Sequence, residues 1–134
     1  MEHYKELTNQ INEALSKTGR AIGHRVWQGI EFYMRSHPLV LYYQNEDSKR
    51  NLALRFAFEE QVVQKIVPKL RGLEMEDTGE TTLSAIKVLL EQEGLGLRAD
   101  FENATKNDYR QFIWNSADYL SNKEWETLLP KNVN

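Results

Sequence analysis

Two stretches of this sequence hold side chains whose types and spacing could do chemistry. The first is Thr18-Gly19-Arg20-Ala21-Ile22-Gly23-His24-Arg25-Val26-Trp27. Two glycines flank a short turn, and a helix then opens with a histidine and an arginine in its first turn. Basic side chains there oppose the helix macrodipole, at a cost of roughly a few tenths of a kcal/mol. Exposed backbone N–H groups beside an arginine make a grip for phosphate oxygens. The same residues also suit a plainer arrangement, in which Gly23 permits close packing and Arg25 pairs with an acid such as Glu31. The second stretch is Phe56-Ala57-Phe58-Glu59-Glu60-Gln61-Val62-Val63-Gln64-Lys65-Ile66-Val67-Pro68-Lys69-Leu70-Arg71-Gly72. An apolar-faced helix meets Pro68 with Lys65, Lys69 and Arg71 around it. A proline break there redirects the chain and frees backbone carbonyls near positive side chains. The plainer alternative is a packed helix with an ordinary kink.

Other chemistry is absent from the residues. There is no phosphate loop of the Walker type and no Gly-x-Ser-x-Gly elbow. His3, His24 and His37 lack partners at the spacing of helical metal ligands, so no metal site is expected. The absence of cysteine excludes a disulfide framework, a thiolate zinc site and a cysteine nucleophile. The pairs Glu59-Glu60 and Glu74 with Glu76 read as surface charge. Nothing supports a self-contained enzyme.

These stretches need elements to hold them. The chain of 134 residues is the size of one domain, and its 40% hydrophobic and 28% charged residues are ordinary for a globular fold. Net charge is −3, with +5 over residues 17–71 and −6 over residues 72–104. That asymmetry suits either two surfaces that attract each other or a basic face that meets phosphate. An acidic chain is not a generic nucleic-acid binder, so direct nucleic-acid contact is not expected. The longest apolar run, Leu39 to Tyr43, is far too short to span a bilayer. The polar first residues carry no signal core, so a cytoplasmic setting without membrane contact is expected.

The periodicity predicts helices over 4–17, with Leu7, Ile11, Ala14 and Leu15 inward, and over 22–36, with Val26, Ile30 and Tyr33 or Met34 inward. Gly19 stops the first and His37-Pro38 the second. Leu39 to Tyr43 suits a short strand or a helical turn. A long helix follows from Lys49 to about Ile66, and Pro68 interrupts it. After an acidic loop over 73–79, a helix runs over 80–93 and stops at Gly94 and Gly96. Leu97 to Thr105 takes no clear pattern. Lys106 to Leu120 reads as helical, with Tyr109, Phe112, Ile113 and Ala117 inward. Ser121 or Asn122 caps a last helix, Lys123 to Leu129, ahead of a tail over 131–134. The fold class predicted is all-α, a single packed domain of five or six helices.

At the two chemical stretches the sequence resembles the C-terminal helical lid of McrB-like AAA+ ATPases of the MoxR/McrB type. Those are motor subunits of modification-dependent DNA restriction systems and their relatives. The resemblance rests on Gly23-His24-Arg25-Val26 opening a helix and on Gln64-Lys65-Ile66-Val67-Pro68-Lys69-Leu70-Arg71-Gly72 closing one. It covers roughly residues 5–95, with His24 and Val67 standing where such lids more often carry an aromatic residue and a leucine. It implies a lid-like domain over 1–96 and a helical C-terminal extension over 97–134 packed on it. It further implies that Arg25, with Gly23 and His24, acts as sensor 2. In that role arginine reaches the terminal phosphates of ATP or GTP, bound with Mg on a large domain outside this chain. Arg20, Lys65, Lys69 and Arg71 are further candidates for phosphate or interface contact. By this likeness the chain alone holds no cofactor and is no enzyme. Its partners are the AAA+ large domain, neighbouring subunits and a nuclease subunit, and Met1 marks the edge of a piece or of a split gene.

Two other functions fit the residues. A free-standing helical interaction module or adaptor would use Trp27, Tyr33, Tyr42, Tyr43, Trp114 and Trp125 as anchors. A helix-turn-helix around Gly19 would set Lys17, Arg20 and Arg25 on DNA phosphates. Against the second, the Ile30-Glu31-Phe32-Tyr33 centre of its recognition helix suits a core.

Overall fold

Leu7, Ile11, Ala14 and Leu15 recur at the helical period, and with Tyr4 and Thr8 they form the buried face of α1, Glu2–Ser16. The helix closes where Gly19 takes a φ of +73° and the Arg20 N–H reaches back to the Leu15 carbonyl at 3.0 Å. The computed structural model describes every residue except His24, Met75, Glu93, Asn107, Asp108, 116–123 and 131–134. The second helix, α2, is Arg25–Ser36 and buries Trp27, Ile30 and Met34. Pro38 has no N–H to lose at a helix start. His37 Nδ1 accepts the Leu39 N–H at 3.2 Å, so the short apolar run becomes a helical turn, α3, Pro38–Tyr42.

The predicted interruption at Pro68 does not occur. Helix α4, Asp47–Gln61, passes into a π-helical turn, Val62–Ile66, and then into α5, Val67–Leu70. A proline ring displaces the carbonyl four residues before it. The π turn widens the helix just there, with the Val67 N–H bonding the Val62 carbonyl five residues back. One continuous rod therefore runs from Asp47 to Leu70. Helix α6, Asp77–Gln92, and helix α7, Arg98–Thr105, follow, and Glu124–Leu128 is a 3₁₀ turn. With α4–α5 as one rod, six helical rods are present among the described residues, and none of those residues forms a sheet. The all-α expectation holds. None of the described helices is long and apolar enough to cross a membrane.

The stretch after Thr105 differs from expectation. The segment Tyr109–Asn115 is not helical. Phe112 donates its N–H to the Leu73 carbonyl at 2.9 Å and accepts the Gly72 N–H at 3.0 Å, and Ile113 donates to Ala104 at 3.0 Å. The backbone is thus laid across the turn that follows α5, with an isolated antiparallel bridge between Glu74 and Gln111. Only Phe112 of the expected inward set is buried there, while Tyr109 and Ile113 face outward. Ala117, the caps at Ser121 or Asn122 and the tail over 131–134 lie outside the described residues. Leu97 to Thr105 supplies α7, and the last predicted helix is the shorter 3₁₀ turn. The acidic loop is also shorter than predicted, since α6 begins at Asp77. A single buried cluster joins Tyr4, Leu15, Met34, Phe58, Ile66, Leu83, Phe101, Phe112 and Leu128.

Candidate functional site

The site is built on the turn from α1 into α2. Ile22 is buried, and its N–H donates to Asn12 Oδ1 of α1 at 2.7 Å. Two residues earlier, Arg20 Nη1 donates to the carbonyl oxygens of Lys69 at 3.2 Å and Arg71 at 3.0 Å. Those carbonyls end α5 and have no helical N–H to accept. The turn is therefore tied to α1 on one side and to the α5 end on the other. This contact also joins the two chemical stretches.

Gly23 has a φ of +77°, and a Cβ built on it would meet nothing within 4 Å. Its absent side chain serves the left-handed turn and not close packing. Arg25 is the first residue of α2, exposed, and bonded to no described residue. Glu31, the acid suggested for it, pairs with Arg35 at 3.7 Å instead. Both parts of the plainer arrangement are thus replaced. His24 lies outside the described residues.

Lys65 is half-buried in the π turn and bonds no described residue. Its Nζ would stand 2.6 Å from a Cβ on Gly29, so the ammonium rests on the α2 backbone one turn after Arg25. Lys69 and Arg71 are exposed, and their carbonyls face Arg20. Of the predicted cations, Arg20, Lys69 and Arg71 meet at the α5 end, while Arg25 and Lys65 flank one stretch of α2.

Two acidic groups whose sequence pattern suggests only surface charge make specific contacts. Glu60 is held by the Tyr33 hydroxyl at 2.5 Å and lies 3.5 Å from His37 Nε2, on its other oxygen. Burial alone would push the Glu60 carboxyl up, but the hydrogen bonds from His37 and Tyr33 outweigh it and hold the carboxyl below its ordinary value. Tyr33 is pushed up to about 12, first by burial and then by the carboxylate it donates to. Glu59 is fully buried, accepts the Gly96 N–H and lies 3.7 Å from Arg55 Nε, with burial pushing its carboxyl up. One signal could have found it. Glu59 falls three residues after Phe56, on the apolar face of the helix.

On the exposed side of α2, Gln28, Glu31, Phe32, Arg35 and Ser36 line a shallow groove together with Leu41 of α3. Phe32 is 74% exposed and Leu41 51%, so the predicted core centre of α2 points outward at Phe32. Among the other aromatic candidates, Trp27 and Tyr43 are buried, Tyr33 and Trp114 are partly buried, and Tyr42 and Trp125 are exposed.

No group of histidine and acidic side chains among the described residues could hold a metal ion. The structure thus defines an all-α domain with two cations beside one helix, Arg25 and Lys65, whose side chains bond no described residue. The chain belongs to the family described as "Domain of unknown function (DUF8727)", whose model matches residues 1–127. No curated protein and no solved structure matches it.

Proposed function

We propose that this chain is the lid of a McrB-like AAA+ ATPase and that Arg25 is its nucleotide sensor. The observation that carries the reading is Arg25 itself: a cation at the start of a tied-down helix, exposed and bonded to no described residue. A sensor must be fixed at its backbone and free at its guanidinium. The Asn12 and Arg20 hydrogen bonds supply the first condition, and the Glu31–Arg35 pair leaves the second intact. The guanidinium would fork onto terminal phosphate oxygens and stabilise charge during transfer. The phosphate loop, the Mg ligands and the nucleotide, ATP or GTP, belong to a large domain outside this chain. The chain alone is then no enzyme. It moves with nucleotide state in the cytoplasm and works with neighbouring subunits and a nuclease subunit on DNA.

The test begins with the reading frame directly upstream of the Met1 codon and with its neighbouring genes. A phosphate-loop domain in frame, or in an adjacent gene whose product binds this chain, is expected. In that assembly Arg25→Ala should slow ATP or GTP turnover by about a hundredfold or more. Unchanged turnover would overturn the sensor role.

A second reading is favoured by a separate observation. The exposed Phe32 and Leu41 beside the α2 groove suit a helical interaction module that captures an apolar segment of a partner. Phe32→Ser abolishing a defined complex, with ATP turnover untouched by Arg25→Ala, would favour it over the lid.

A further inference from the structure

Lys65 is the cation that the fold treats most unusually. Its ammonium lies against the α2 backbone at Gly29 with no counter-charge among the described residues. Glu60, the acid five positions earlier on the same rod, is already engaged at both oxygens by Tyr33 and His37. Gly29 supplies the seat. Any side chain there would meet the Lys65 Nζ, at 2.6 Å from its Cβ. Residues four apart on a helix stand about 5–6 Å from each other at Cβ. Lys65 Nζ therefore lies within roughly 9 Å of the Arg25 Cβ, inside the reach of an arginine side chain. Two cations from separate elements, neither with a described partner, converge on one stretch of α2.

We propose that Arg25 and Lys65 form a two-cation clamp for a polyphosphate chain, with Arg25 on one phosphate group and Lys65 on the next. Identifying that polyphosphate as a nucleotide's rests on the lid reading. The clamp itself rests only on this chain. Arginine grips by its planar fork and lysine by a point charge, so the pair fits a chain of linked phosphates better than a single carboxylate. Gly29 becomes a specificity-determining position, because its lack of a side chain decides where the ammonium rests.

The experiment uses the full chain and inorganic tripolyphosphate at low ionic strength. Amide and side-chain NMR shifts are followed at Gly29 and Arg25. Saturable shifts at both are expected. Lys65→Met should weaken the affinity about tenfold, the loss of one charge-assisted contact. Gly29→Ala keeps every charge but pushes the ammonium off its seat, and should weaken binding in the same direction. Lys5→Met, at an exposed lysine of α1, should leave it unchanged. Tripolyphosphate binding that is absent, or equal in wild type, Lys65→Met and Gly29→Ala, would overturn the clamp. The melting temperature of each variant separates lost binding from lost folding, and Gly29→Ala carries the test if Lys65→Met fails to fold. The clamp and the lid fail separately. Binding lost in Lys65→Met, with turnover untouched by Arg25→Ala, keeps the clamp and removes the lid. Turnover lost in Arg25→Ala, with no tripolyphosphate effect, does the reverse.

Discussion

Arg20 and Arg71 are both cations, yet they are joined directly. Nη1 of Arg20 donates to the backbone carbonyl of Arg71 at 3.0 Å, across 51 residues of sequence. The same nitrogen reaches the Lys69 carbonyl at 3.2 Å. A guanidinium thus caps the end of α5 and fixes the turn from which α2 departs. A residue read as a candidate for phosphate contact spends this face on the backbone.

Arg20→Ala should therefore act on stability. Two carbonyls lose a charged donor, and about 1–2 kcal/mol of unfolding free energy should go with it. Urea denaturation measures the loss through the midpoint at constant slope. A midpoint equal to that of the wild type would mean that water replaces the guanidinium at no cost.

The Tyr33–Glu60 pair sets two pH limits. Tyr33 titrates at about 12 in the folded chain against an ordinary 10.0, so its stabilising contribution is complete below pH 10. It should be lost as the pH rises from 10 to 12, because the folded chain holds the proton that the unfolded chain releases. Glu60 acts with the opposite sign. Its folded carboxyl lies below the ordinary value, so its contribution is present above that value and is lost as the pH falls through the folded one. Unfolding free energies across pH should show both declines in the wild type. Tyr33→Phe should abolish the alkaline decline and shrink the acidic one.

Glu59 predicts a contrast between two substitutions. Its folded carboxyl is raised by burial, so its contribution to stability falls as the pH climbs from the ordinary carboxylate range through that raised value. Glu59→Gln keeps an acceptor for the Gly96 N–H and removes the charge. At pH 7 it should match or exceed the wild type in melting temperature. Glu59→Ala should cost about 2–3 kcal/mol, since it opens a cavity at a fully buried side chain and strands a partly buried N–H. A Glu59→Gln chain as unstable as Glu59→Ala would show that the charge itself, through Arg55, holds the fold.

The helical glycines of α2 and α6 separate in the same manner. A Cβ on Gly79 would come 2.0 Å from the Glu74 carbonyl oxygen, which is backbone and has no room to yield. Gly79→Ala should cost about 3 kcal/mol by overpacking. On Gly29 the obstacle is the tip of the Lys65 side chain, which can swing away. Gly29→Ala should then hold stability within about 1 kcal/mol, aided by the helix preference of alanine. Thermal melts of the two variants give the comparison directly.

Much of this architecture could be read from local pattern. The apolar residues of α1, such as Leu7 and Ile11, and of α6, such as Leu83 and Ile86, recur at the helical period and are buried as that period requires. Gly23 and Arg25 were legible too, because a turn followed by a basic helix start is written in adjacent residues. What escaped depends on distant partners. Tyr109, Phe112 and Ile113 have helical spacing, yet the Gly72 N–H that Phe112 accepts and the Leu73 and Ala104 carbonyls that Phe112 and Ile113 donate to hold that segment out of a helix. Phe32 looks like core until its helix is seen to turn its other side inward at Trp27, Ile30 and Met34. The Lys65 seat on Gly29 joins two elements whose approach no periodicity reports.

The π turn before Pro68 also has a consequence for relatives of this chain. A π turn holds one residue more than the α turn in its place. Here that extra residue and the proline depend on each other. Without the widening, the Pro68 ring would strike the carbonyl of Gln64 inside a regular helix, at a cost of about 3 kcal/mol. A relative lacking one residue between Val62 and Ile66 should therefore also lack the proline, while keeping Leu70 on the inward face. Across the family, that gap and that substitution should be inherited as one event.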